Sequence, residues 1–423
     1  MLGISQPTLS RALTRLGPQV IRLGATRSIQ YALRDDLRGL PDFPVYRVDF
    51  RGQLSVLGTL VPVRADGFVM QQEDGKTLHS HGLPWWLYDM RPQGYLGRAY
   101  VARHAAALGL PASLNEWSDT HALRALLVHG HDSVGNLLLG NLARDRFLST
   151  PTPSPIPADR KAADYVRLAR EAASGETPGS SAGGEQPKFT TYAMTPEGPR
   201  HVIVKFSETE AGPVSERWRD LLLAEHLALQ TLRDAGISAA RSHWMDHEGQ
   251  RFLEVERFDR NGALGRRGLI SLAALDAEFV GSGNGNWPSI ARKLAAQRYI
   301  EPDAARTSEL LWAFGTLIGN TDMHNGNLSF LADDGRPYQL APAYDMTPMG
   351  FRPTSGGGLQ DRLSEASIHA DVSNAVWRQA QILAKDFLGR VKASKDFSAR
   401  FAPCILALAG HIERATEKIS RLA

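Results

Sequence analysis

An α+β chain of two or three domains is what this sequence predicts, on three observations. Its 423 residues are 43% hydrophobic, ample for more than one buried core. Strand-like and helix-like periodicities come in blocks: strand patterns at 45–63, 189–206 and 251–258, helical ones at 95–128, 216–234, 307–318 and 374–422. Segments rich in Pro, Gly and Ser, at 149–157 and 175–188, separate those blocks. The divisions that follow are 1–40, 41–155 and 156–423, the last strand-rich to about residue 260 and helical after it.

A net charge of +3 and a pI near 8.9 say little alone about a polyanionic partner. The single cysteine, Cys404, excludes an internal disulfide and fits a reducing compartment. Its neighbours Pro403, Ile405 and Leu406 mark it as a small buried hydrophobe. No apolar run approaches the length of a membrane span, and the N-terminus lacks the basic-then-apolar layout of a signal peptide. A cytoplasmic protein with no membrane partner is therefore expected.

The distribution of charge says more than its sum. Residues 1–40 carry Arg11, Arg15, Arg22, Arg27, Arg34 and Arg38 against only Asp35 and Asp36. Gly3 supplies a sharp turn, Ser5 an N-cap, and Pro7 falls in a first helical turn, where its missing N–H costs nothing. Ile4, Leu9, Leu13 and Leu16 would face inward, leaving Gln6, Thr8, Ser10, Arg11 and Arg15 for a major groove. Residues 20–33 read as a two-stranded wing with Arg27 at its tip. This is a partial winged helix-turn-helix, without the helix that ordinarily supports the recognition helix, and DNA is its expected partner. The alternative is a short helix and hairpin packed on the next domain.

Residues 45–50 alternate, 51–53 turn and 54–63 continue as a hairpin, with a further strand near 67–70. Helical patterns follow at 95–108 and 115–128, then a turn into a strand at 130–140. His129 and His131 beside Asp132 have the makings of a metal site, but loop histidines with a capping Asp are far commoner. The Pro-rich stretch 149–157 reads as an extended connector, and 161–173 as an amphipathic helix.

From here the residue types turn to phosphoryl chemistry. Residues 175–187 form a small, polar loop whose backbone N–H groups can approach phosphate oxygens. A β-branched run ends in Lys205, where kinases place the strand lysine that holds the nucleotide phosphates. The helix 216–234 carries Glu225, a candidate partner for Lys205. Residues 251–260 read as a strand emerging into a hinge. An apolar helix over 307–318 then delivers Asp322, His324 and Asn327, with the Asp-to-Asn spacing of a kinase catalytic loop. Strands at 327–331 and 338–341, paired as a hairpin, would bring Asn327 and Asp345 to one end, as a shared metal requires. Residues 281–288 and 350–362 read as loops, and 374–387 and 403–422 as helices. Each feature is weak alone; their order is what points to a kinase.

Taken together, these motifs resemble the HipA-type serine/threonine kinases, the toxins of bacterial toxin–antitoxin modules, and most of all their YjjJ (HipH) subgroup with a fused N-terminal helix-turn-helix. The resemblance rests on residues 131–135, 180–183, 255–260, 320–327 and 344–345. It implies a two-lobed protein-kinase-like fold with an N-terminal β-rich subdomain, and use of ATP and Mg²⁺. It implies Asp322 as catalytic base, Asn327 and Asp345 as Mg²⁺ ligands, and Lys205 on the nucleotide phosphates. It places Ala182, Gly183, Gly184, Glu256, Arg257, Phe258, His324 and Tyr344 around the nucleotide. A serine of the Gly-rich loop, Ser180 or its neighbour Ser181, would be autophosphorylated, inactivating the enzyme. The implied partners are a protein substrate and an antitoxin-type protein. Two rivals stand beside this reading: a small-molecule phosphotransferase of the aminoglycoside type, which needs the same Asp-x-His-x-x-Asn loop, and a DNA-binding regulator with a pseudokinase body.

Overall fold

A computed structural model describes residues 5–24, 29–173, 186–333 and 335–422. Helix α1 (Gln6–Leu16) is capped by Ser5, whose hydroxyl accepts the Thr8 N–H at 3.4 Å. None of its residues is buried, so the expected inward face is not covered: Leu9 and Leu13 are half-buried and Leu16 is exposed. Strands β1 (Val20–Leu23) and β2 (Gln30–Leu33) form the expected hairpin. Ile21, Leu23 and Ala32 anchor it on Val61, Val63 and Val69 of the next sheet. Ile4 and Arg27 lie outside the described residues.

That next sheet has five antiparallel strands, β3 (Phe43–Val48), β4 (Leu54–Val63), β5 (Gly67–Gln72), β6 (Thr77–Ser80) and, after two helices, a fifth. Long β4 requires glycine at Gly58, where φ is +145° and a Cβ would sit 2.0 Å from the Gln71 carbonyl oxygen. Helices α2 (Gly94–His104) and α3 (Asp119–His129) precede β7 (Leu137–Leu139), and α4 (Gly140–Ser149) follows. Phe43, Leu60, Phe68, Leu123 and Leu126 form the core between sheet and helices.

The Pro-rich connector is extended as expected. Ile156 bridges Ala193 in parallel, adding an edge to the following sheet. Helix α5 (Lys161–Ala173) and helix α6 (Pro213–Asp234) sandwich four antiparallel strands, β8 (Lys188–Thr195), β9 (Gly198–Phe206), β10 (Ser242–His247) and β11 (Gln250–Glu256), in the order β10-β11-β9-β8. Alternation sorts β9: Val202, Val204 and Phe206 pack with Tyr165 of α5, leaving Ile203 and Lys205 for the opposite face.

Past β11 the chain makes a small hairpin, β12 (Arg260–Asn261) and β13 (Gly265–Arg266), and then enters the helical lobe. Strand β14 (Leu269–Ser271) leads into short α7 (Leu272–Leu275), α8 (Trp287–Ala296) and α9 (Pro302–Leu317). Strands β15 (Ser329–Leu331) and β16 (Gln339–Leu340) form the expected hairpin, joined by β14 to a three-stranded sheet. Helices α10 (Asn374–Ala393) and α11 (Ala402–Ser420) complete the lobe around Phe314, Trp377 and Phe387, with Cys404 buried. Helix α8 was not expected; Asn286 caps it by accepting the Ser289 N–H, and Trp287, Ile290, Ala291 and Leu294 bury one face.

Candidate active site

Lys205 stands near the end of β9, opposite Leu253 of β11 and Lys188 of β8. Its ammonium is buried and donates to both oxygens of Glu225, at 2.6 and 2.8 Å, and to the Asp345 carboxylate. Glu225 lies on the buried face of α6 and also accepts the Thr347 hydroxyl at 2.9 Å. Burial works hardest against the Lys205 charge, but the Asp345 and Glu225 carboxylates outweigh it and raise the ammonium above the ordinary lysine range. Burial likewise opposes ionisation of Asp345, and Lys205, with Lys188 behind it, holds that carboxyl below its usual value. Asp345 is the outer member, its side chain 33% exposed against 1% for Glu225.

The loop carrying Asp322 is fixed by its own polar groups. The chain leaves α9 through Ile318 and Gly319, and the Gly319 φ of +77° and close contact with Leu363 disfavour a side chain there. Buried Asn320 then accepts the Asp322 N–H on Oδ1 at 3.0 Å and donates through Nδ2 to the Asp345 carbonyl at 3.2 Å. Asn327 Nδ2 donates to the Asp322 carbonyl at 2.8 Å, and His324 Nδ1 accepts the Gly326 N–H at 3.1 Å. These bonds leave the Asp322 carboxylate and Asn327 Oδ1 without a hydrogen-bond partner among the described residues. Tyr344 is buried, its hydroxyl donating to the Gly326 carbonyl at 2.7 Å and lying 2.7 Å from Ser329 Oγ, and burial raises its pKa. Asp345 has φ +53°, an uncommon conformation for a side-chain-bearing residue and one that concentrates at functional sites.

The hinge splits the residues expected there. Phe258 faces the cleft, its ring 5.6 Å from that of Tyr344. The Glu256 side chain turns the other way, because Leu253 and Val255 share the face of Lys205 and alternation sends Glu256 to the α5 side. There Thr195 donates to it at 3.4 Å, and Arg200 lies 4.0 Å away. Glu256 thus offers the cleft its backbone only. With Glu197 and His243 it forms the one group of three side chains, among the described residues, able to converge on a cation, and that group lies on the far face of the sheet.

Arg257 is committed elsewhere, through Nε and Nη2 to Asp259 at 3.0 and 2.9 Å. Asp259 also accepts Arg260 at 2.6 Å and the Gly135 N–H at 3.2 Å, while Arg260 reaches Asp132 at 3.0 Å and the Ser133 carbonyl at 2.8 Å. Residues 131–135 therefore dock the β-rich unit onto the hinge. His129 pairs its Nδ1 with the Tyr100 hydroxyl at 2.8 Å. The resulting cleft is about 540 Å³, roofed by Lys188 and Lys205, floored by Tyr344 and Asp345, and walled by Leu96 and Tyr100 of α2.

This donor set suits a nucleotide with a hard divalent cation. Asp345 and the Asn327 amide oxygen are the oxygen ligands such a cation prefers, Lys205 is a fixed cation for phosphates, and the cleft has the size of a ligand pocket. Ser180, Ser181, Ala182, Gly183 and Gly184 lie outside the described residues. Sequence reading overlooked Asn320, whose partner is the Asp345 carbonyl, 25 residues downstream.

Replacing Lys205 with Met would leave two carboxylates facing each other without their shared cation. Burial already raises Glu225 in the wild type; without the ammonium, burial and repulsion would raise it further and raise Asp345 as well, and the folded state loses stability as pH climbs through their values. The wild type behaves oppositely at Asp345, whose depressed value stabilises above the unfolded carboxylate range and is lost on acidification. The melting temperature of Lys205→Met should therefore fall more steeply than that of wild type between about pH 5 and about pH 8. Parallel profiles would refute the shared-charge arrangement.

Comparison with known proteins agrees with this geometry. Residues 40–148 match the family described as YjjJ-like toxin, middle domain, and residues 180–402 match the HipA-like C-terminal domain. Toxin YjjJ of Escherichia coli (strain K12) is 41% identical over 423 residues, covering 100% of this chain and 95% of its own. HipA in the Shewanella oneidensis MR-1 complex of HipA, HipB and operator DNA superposes with a TM-score of 0.61 at 17% identity, over 90% of this chain and 100% of that one. The fold is thus the two-lobed, kinase-like one of HipA, and the chain belongs to the YjjJ-like toxins, with a HipA-like C-terminal domain.

Proposed function

We propose that this chain is a serine/threonine protein kinase that transfers the terminal phosphoryl group of ATP to a protein serine and restrains growth as a toxin. The observation that carries the reading is the Lys205–Glu225–Asp345 cluster, joined through Asn320 to the loop of Asp322. When bound, Mg-ATP supplies the phosphoryl group and the cation that offsets its charge. Lys205 orients the phosphates, while Asn327 and Asp345 hold the cation. The Asp322 carboxylate, without a hydrogen-bond partner among the described residues, accepts the proton of the attacking hydroxyl. Phe258 and the backbone of residues 256–258 receive the base, and the wall formed by α2 keeps water from that side of the cleft. His324 holds the turn before Asn327 through its Nδ1.

Regulation in this reading lies at two places. Autophosphorylation of Ser180 or Ser181, in the Gly-rich loop with Ala182, Gly183 and Gly184, switches the kinase off. The N-terminal module binds DNA through Gln6, Thr8, Ser10, Arg11, Arg15 and Arg27; in support, α1 buries none of its residues and Arg11 and Arg15 are exposed. The HipA relative is solved with HipB and operator DNA, which makes an antitoxin-type protein a further partner to look for.

Asp322→Ala should lower transfer by ~10²–10⁴-fold while nucleotide still binds. Comparing the phosphoproteomes of cells carrying each form reads activity and substrate class together. Transfer unchanged in the variant would remove Asp322 as base, and phosphate appearing only on small molecules would favour the aminoglycoside-type rival.

Incubation with Mg-ATP followed by mass spectrometry should place phosphate on Ser180 or Ser181. A loop that stays unmodified in an active preparation rules out self-inactivation there.

DNA binding should weaken as salt rises, with a log–log slope that drops by roughly 1 for each of Arg11 and Arg15 replaced. A salt-independent or absent mobility shift would leave α1 as a structural appendage.

A further inference from the structure

The segment after Asp345 is held at both ends by α6. At its start, Thr347 donates to Glu225 at 2.9 Å. At its far end, Arg217, two turns before Glu225 on the same helix, donates through Nη1 to the carbonyls of Phe351 and Gln360 at 2.9 and 2.8 Å. Its Nη2 donates to the Asp361 carboxylate at 2.5 Å. The Arg217 side chain is only 3% exposed, and its guanidinium lies 5.6 Å from the Phe401 ring centre. Two residues on, Leu363 packs against Gly319 and Gly350 at the base of the Asp322 loop. Arg217 thus ties the metal-side carboxylate, the segment that follows it and the catalytic loop to one helix.

In kinases switched by phosphorylation, that segment is ordered when a new phosphate pairs with an arginine. Here a carboxylate of the chain itself already occupies the arginine. We infer, resting on the kinase reading above, that Arg217 is a positioning residue and that Asp361 takes the place of an activating phosphate, so the site assembles without phosphorylation of residues 346–363. Covalent control then falls to sites outside this segment.

Three full-length variants test the clamp: Arg217→Met, Asp361→Asn and Asp361→Glu. Asp361 is 48% exposed, so its variants fold even where the arginine variant does not. Two readouts are taken together: ATP turnover, and trypsin cleavage at the exposed Arg362–Leu363 bond, since Arg352–Pro353 resists trypsin. Asp361→Asn should raise cleavage and lower turnover by about tenfold, Arg217→Met by at least as much, and Asp361→Glu should restore both. Treating the wild type with a broad-specificity phosphatase should not lower its turnover. The clamp is overturned if Asp361→Asn and Arg217→Met match the wild type in both readouts, or if phosphatase silences the wild type. A wild type that turns over no ATP while its cleavage still responds to Asp361→Asn would support the clamp and defeat only the kinase reading.

Discussion

Everything in the cleft depends on one ammonium shared by two carboxylates. Lys205, Glu225 and Asp345 come from a strand, a helix and a loop far apart in sequence, and none could be buried charged without the others. Taking such ions out of water costs several kcal/mol each, offset only by close, well-formed pairing. The pairing is uneven. Glu225 is sealed and carries an additional hydroxyl donor, whereas Asp345 stays partly open, with Lys188 as a second cation acting on it. Burial favours the protonated form of Glu225, while Lys205 and Lys188 favour the ionised form of Asp345 at the open end of the cluster. The ion pair is therefore a fold constraint and a site constraint at once.

A second buried charge group makes the hinge depend on the β-rich unit. Arg257, Arg260 and Asp259 are each nearly inaccessible, and Asp132 from the β-rich unit supplies the second carboxylate. Burial and the neighbouring Arg260 also push Arg266 down to about 9, a sign of how much positive charge is packed there. Without residues 131–135 the two hinge arginines would face each other over a single carboxylate. The β-rich unit thus completes the hinge electrostatically as well as walling the cleft, and it is part of the cleft in both respects.

How much of this was legible in the sequence followed from the range of each interaction. Asp322, His324 and Asn327 were legible because their chemistry demands fixed types at short spacing, and Lys205 because it closes a β-branched run. Glu256 lines the cleft through its backbone, and only the direction of its side chain was not legible. Alternation was visible, but the residue of β11 opposite Lys205 is set by sheet register, which the sequence does not print. Asn320 was passed over as a turn former because its partner is a backbone carbonyl 25 residues away. The apolar face of α8 was hidden by the Gly/Asn run before it, which supplies the cap Asn286. Arg217 gave no signal at all: its partners are two carbonyls and a carboxylate more than 130 residues away, and any arginine on a helix looks the same.

The backbone of Asp345 shows why these overlooked residues matter. A left-handed residue with a side chain costs about 1–3 kcal/mol and persists only where its surroundings over-determine it. Four contacts do so here. Tyr344, just before it, is pinned to Gly326 and Ser329; Asn320 holds its carbonyl; Lys205 holds its carboxylate; Thr347, just after it, is pinned to Glu225. All four lead directly or through one residue to α6 or to the Asp322 loop, so the conformation of Asp345 depends on both. A carboxylate held in this way cannot drift while its neighbours stay in place, and the helix bearing Glu225 and Arg217 is what keeps them there.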